Sequence, residues 1–202
     1  MSNPHPQIEP WLERGQSYTT MATQVFVEEL RADGRPRVLD LGCLCDTNIH
    51  FLTELGCHVF VDDVLQLNTQ IPKGSHATAA KDVSQFISEH DYSPNFFDGI
   101  LCWNLYDHLE VEAAQRLSHI IWSLLRITGC ALALLRPEGS TASNVLRYRI
   151  LNRGELLYET LPLPPLQGKA YQSRDIAGLV APLALSNSYR LKNGWREVIL
   201  RK

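Results

Sequence analysis

Three short stretches hold the residue types that could do chemistry: Asp40 to Asn48, Asp62-Asp63, and Trp103 to His108. A carboxylate at Asp62 or Asp63 can accept the two hydroxyl hydrogen bonds of a ribose, as acids do in dinucleotide sites. The plainer role of that pair is a polar strand end or a helix N-cap. His108 and Tyr106 are the residues able to take a proton from a nucleophile, with Asp107 as an orienting partner. Against this, His108 could simply cap or pack the helix that follows. Cys43 and Cys45 form a C-x-C pair, but no second pair or clustered histidines complete a tetrahedral set, so no metal site is expected. The sequence has no serine nucleophile elbow, no P-loop and no G-x-G-x-x-G after its first strand.

These stretches need elements that bring them together. Val38 to Gly42 is a short apolar run, too short for a helix, and reads as a buried parallel strand. Thr47 to Leu55 has apolar residues at helical spacing and ends at Gly56, which predicts a helix with a left-handed cap. His58 to Val61 predicts a second strand, a third falls near His76 to Ala79, and Phe97 to Trp103 predicts a fourth. Val111 to Arg126 predicts an amphipathic helix stopped at Thr128-Gly129, with a strand at Cys130 to Leu135. Upstream, Tyr18 to Arg31 reads as a helix after a polar arm. Downstream, Ala184 to Leu191 and Trp195 to Leu200 flank Asn193-Gly194, a strong hairpin signal.

Strands alternating with helices imply an α/β, Rossmann-like, doubly wound and mostly parallel seven-stranded sheet with a C-terminal antiparallel hairpin and helices on both faces. The 202 residues suit one domain. Its parts are an N-terminal arm and helix (1–35), a core (36–139), an insertion or lid (140–170), and a last helix with the hairpin (171–202). In such a sheet ligands bind beyond the carboxyl ends of the strands, where the three stretches converge.

The five scattered cysteines fit reduced, buried thiols, and with no membrane span or secretory signal the expected location is the cytoplasm. A net charge of −3 gives no reason to expect nucleic acid. The charge is uneven, at −9 for residues 1–140 and +6 for 141–202. The basic part could complement the acidic one, serve a homodimer or protein partner, or, through Arg147, Arg149 and Arg153, hold an anionic small-molecule substrate.

Arg37-Val-Leu-Asp-Leu-Gly-Cys43, followed by Phe51-Leu52, Gly56, Val59 and Asp63, resembles the first two motifs of class I S-adenosylmethionine-dependent methyltransferases. Phe97 to Leu109 and Ile127 to Leu135 resemble their fourth to sixth motifs, so the likeness spans Arg37 to Arg136. It implies that S-adenosylmethionine is the cofactor and that Gly42, Cys43 and Leu44 pass beneath its methionine part. Asp63, with Asp62 beside it, would hold the ribose, and Cys102, Trp103 and Asn104 would line the reacting end. Asp40, Asp82 and Val83 complete the implied cofactor set. Leu44 and Asp46 stand where this family commonly has glycines. Either the loop takes another course, with Asp46 pairing the cofactor's ammonium group, or the pocket does not accept the cofactor. Two readings follow: methyl transfer to a small molecule, and a catalytically silent methyltransferase-like module that binds a protein partner.

Overall fold

The computed structural model describes residues 16–30, 34–64, 92–140, 144–161 and 170–202. In chain order these form β1 (Gln16–Thr19), α1 (Ala22–Glu29), β2 (Arg37–Asp40), α2 (Asp46–Glu54), β3 (His58–Val61) and β4 (Phe97–Trp103). A single 3₁₀ turn (Leu105–His108) leads to α3 (Val111–Leu124), β5 (Leu125–Leu135), β6 (Leu146–Asn152), β7 (Glu155–Thr160), α4 (Ile176–Val180), β8 (Ala184–Arg190) and β9 (Arg196–Arg201).

One mixed sheet has the order β3-β2-β4-β5-β9-β8. Its first four strands are parallel, whereas β9 runs antiparallel to both β5 and β8. The described residues thus give this sheet six strands rather than the expected seven. The segment expected to supply the third strand, 76–79, lies outside them.

Side chains alternate across the pleat and build two cores. Leu39, Leu41, Ile100, Cys102, Ala131, Ala133, Val198 and Leu200 face α3 and α4. Val38, Leu101, Trp103, Leu132, Leu134 and Ile199 face α1, α2 and a second, three-stranded sheet. That second sheet, β1-β7-β6, is antiparallel throughout. Burial on both faces explains why the parallel strands read as unbroken apolar runs.

Two boundaries differ from the sequence reading. Tyr18 belongs to β1, paired with Leu156 of β7, and the helix begins only at Ala22. Tyr18 lies seven residues, two helical turns, before Val25, so helical periodicity extends through it although it belongs to a strand. The start of α1 is fixed by tertiary donors and acceptors: the Ala22 N–H donates to Glu197 Oε2 at 3.2 Å and the Thr23 N–H to Thr20 Oγ1 at 3.2 Å. These satisfy two of the donors that a helix start leaves open. At the other boundary, β5 begins at Leu125 and runs through Thr128-Gly129 without a turn. Leu125 already pairs with Phe97 of β4.

Glycine matters to the layering at Gly99, where a Cβ would lie 2.7 Å from side-chain carbons of Phe26 and Leu30. Its absence lets α1 lie directly on β4. No described helix is long and apolar enough to cross a membrane.

Candidate functional site

At the carboxyl end of β2, the Asp40 side chain is a buried hub. Its Oδ1 accepts from the Gly42 N–H at 2.9 Å and from Trp103 Nε1 at 2.6 Å, and its Oδ2 from Asn48 Nδ2 at 3.4 Å. Burial pushes this carboxyl up to about 6, opposed by the hydrogen bonds from Gly42, Trp103 and Asn48.

The turn after β2 then runs outward. Leu44 donates its N–H to Asp63 Oδ2 at 3.2 Å, which ties the turn to the end of β3. The Leu44 side chain is 54% exposed, so it points to solvent rather than across the turn. Cys43 and Cys45 are buried, and burial pushes the Cys43 thiol up to about 12, leaving it protonated. Asp46 is exposed in the first turn of α2. Asp62 is buried beside the half-buried Asp63. Asp82 and Val83, expected at the cofactor, lie outside the described residues.

Trp103, the last residue of β4, has φ +47°, a left-handed conformation that side chains other than glycine seldom adopt. It lays the indole against Gly42, where a Cβ would sit 2.4 Å from Trp103 Cδ1 and 2.7 Å from Nε1. The indole also stacks on Tyr148 of β6, with centroids 5.3 Å apart and planes 5° from parallel. Only 3% of Trp103 is exposed. Asn48 of α2 holds that part of β6, because its side chain bonds to the backbone of both Tyr148 and Ile150.

The remaining sequence candidates lie deeper. Asn104 Nδ2 is 3.0 Å from His108 Nε2, and burial beside Arg136 pulls the His108 pKa down to about 3, so the ring is neutral. Asp107 is fully buried and accepts the Arg136 N–H at 2.9 Å, and burial pushes its pKa up to about 8 against the pull of the Arg136 charge. Cys102 and Tyr106 face the α3 and α4 core, and the Tyr106 hydroxyl is 2.9 Å from Ser118 Oγ. Neither His108 nor Tyr106 reaches solvent here. Arg147 and Arg149 share the carboxylate of Glu159. Arg153 is exposed at the β6–β7 turn.

Sequence reasoning placed Asn48 in its first stretch without a role, and missed Tyr148, Arg136 and Glu197. Glu197 alone left a signal, as a carboxylate inside the apolar run Trp195 to Leu200.

No protein-family profile matches the chain, and no curated protein matches it. Solved structures do. The Burkholderia thailandensis 1,6-didemethyltoxoflavin-N1-methyltransferase, solved with its substrate and S-adenosylhomocysteine, is 21% identical, with TM-score 0.52 over 90% of this chain and 78% of that one. The CcbJ methyltransferase of Streptomyces caelestis is 14% identical, with TM-score 0.52 over 89% and 93%. The fold is that of the class I methyltransferases. A Rhodobacter sphaeroides protein provisionally named a zinc-dependent alcohol dehydrogenase also matches, at 14% identity and TM-score 0.53 over 92% and 91% of the two chains. Likeness at this level therefore speaks for architecture and not for activity. Among the described residues no three His, Cys, Asp or Glu side chains cluster as a metal site would require.

Set against the class I methyltransferase fold, the site splits into two parts. The turn at Gly42 and the carboxylate of Asp63 stand side by side, as the cofactor's ribose and methionine ends would need. The space over Gly42, however, is filled by the Trp103 indole. Trp103 therefore stands against the part of the turn that the cofactor's methionine end would approach.

Proposed function

We propose that the chain is an S-adenosylmethionine-dependent methyltransferase acting on a small molecule. The observation that supports this reading is the bond between the Leu44 N–H and Asp63 Oδ2. It ties the turn after Gly42 to the acid at the end of β3, while the side chain of Leu44, which stands where the resemblance expects a glycine, is exposed. The loop thereby avoids the obstruction that its sequence suggests. Arg147 and Arg149, which share one carboxylate, leave a net positive charge on the adjoining β6 that suits an anionic substrate.

A second reading, a catalytically silent module of the same fold, is favoured by one observation, the burial of Trp103 over Gly42. Calorimetric titration with S-adenosylmethionine and S-adenosylhomocysteine separates the two. Micromolar binding that Asp63→Ala weakens at least tenfold supports the enzyme. A folded protein that gives no heat with either compound is the silent module.

A further inference from the structure

We propose that Trp103 is an internal occupant of the cofactor's place, held down by Tyr148, and that ligand entry requires β6–β7 to lift and the indole to swing off Gly42. The proposal rests on the methyltransferase reading and adds a closed state to it.

Three features make Trp103 a stand-in rather than ordinary core. First, it bonds a polar group of the site: Trp103 Nε1 donates to Asp40 Oδ1 at 2.6 Å, so the carboxylate that borders the Gly42 turn is bonded from within the protein. Second, its planar ring lies close to Gly42, where no side chain stands, and is stacked nearly parallel on Tyr148 of β6. Third, its backbone is held at φ +47°, a conformation costly for a residue with a side chain, and it persists only where the surroundings hold it.

The closed arrangement also leaves polar atoms unserved. The Tyr148 hydroxyl and Asn104 Oδ1 are buried and have no hydrogen-bond partner among the described residues. Tyr148 carries the ring stacked on Trp103, and Asn104 is the next residue of the chain. A buried polar atom without a partner costs free energy, so a polar ligand that reaches them competes with the indole on favourable terms. The cover itself is the second sheet. Asn48 bonds the backbone of Tyr148 and Ile150, and β1 extends the sheet beyond β7, so the cover moves as a slab rather than as a single side chain.

If the competent state is a minor one, the apparent dissociation constant is raised by the inverse of its population, and weakening the cover lowers it. The test measures S-adenosylhomocysteine binding to the full chain by calorimetry, and its association rate by stopped-flow with a fluorescent S-adenosylhomocysteine analogue, in wild type, Tyr148→Leu and Trp103→Leu. Thermal unfolding of each variant serves as the check on folding. The expected result is at least fivefold tighter binding in both variants, with faster association, and a wild-type association rate that levels off as ligand concentration rises. Wild-type affinity and rate in both folded variants would overturn the internal occupant while leaving the methyltransferase reading in place. No binding by wild type or by either variant would remove that reading and the closed state together.

Discussion

The side chain of Asn48 accepts the Ile150 N–H at 2.8 Å while its Nδ2 donates to the carbonyl of Tyr148 at 3.0 Å, so one amide serves both backbone groups of β6 that face α2. Asn48 is buried, and no water can replace it without a place to stand. Asn48→Ala should lower unfolding free energy by about 2–6 kcal/mol, because two buried backbone groups lose their partner at about 1–3 kcal/mol each. Urea denaturation of the two proteins measures this. A loss below about 0.5 kcal/mol, the lower end of a single hydrogen bond's net worth, would show that β6 is held by other means.

Asp40 makes a pH prediction whose sign follows from burial. Its carboxyl lies at about 6 in the folded protein against an ordinary 3.8, so the folded state keeps a proton that the unfolded chain gives up. The stability this contributes is present in full below about pH 4 and is lost as pH rises through about 6. Asp107, raised to about 8, adds a similar slope over a wider window. Asp40→Asn cannot titrate, so the difference between wild type and this variant isolates Asp40. Melting temperatures from pH 4 to pH 7 should fall more in wild type. A wild-type curve that instead rises relative to the variant would mean that the donors around Asp40 outweigh its burial.

Tyr106 separates a structural from a chemical role. Its hydroxyl meets Ser118 Oγ at 2.9 Å, and Ser118 in turn reaches the carbonyls of Ala114 and Leu179, all within the α3 and α4 core. Tyr106→Phe should cost roughly 0.5–1.5 kcal/mol of stability, the net worth of one hydrogen bond. Methyl transfer, followed as S-adenosylhomocysteine release, should keep its kcat. A tenfold fall in kcat with stability intact would bring Tyr106 to the substrate.

Leu44→Gly is expected to leave S-adenosylhomocysteine affinity within about twofold of wild type, since removing a solvent-facing side chain changes free energy by no more than about 0.5 kcal/mol. Calorimetry gives the answer directly. A tenfold gain would show that Leu44 folds inward when the cleft is open.

Much of the parallel framework was legible because its elements obey local rules. Gly56 at φ +85° closes α2 where the sequence put a left-handed cap, and β2, β3 and β4 coincide with apolar runs. The early start of β5 was hidden because Leu124, Leu125 and Ile127 suit a helix face as well as a strand. The glycine turn and Asp63 could be placed beside each other from the order of strands. What closes the turn could not be foreseen: Tyr148 lies in Arg-Tyr-Arg-Ile, whose alternation marks a strand but not what that strand covers. The pairing of Asp107 with Arg136 joins the ends of β4 and β5, 29 positions apart, and only the register of those strands reveals it.

β9 has a wider effect than its six residues suggest. It is hydrogen-bonded between β5 and β8, supplies Val198 and Leu200 to one core and Ile199 to the other, and through Glu197 anchors the beginning of α1. During synthesis these residues leave the ribosome long after β4 and β5, whose neighbouring edge must wait for them. Until β9 is in place, the edge of β5 that it covers is an unpaired row of backbone donors and acceptors, the kind of edge that pairs with other chains.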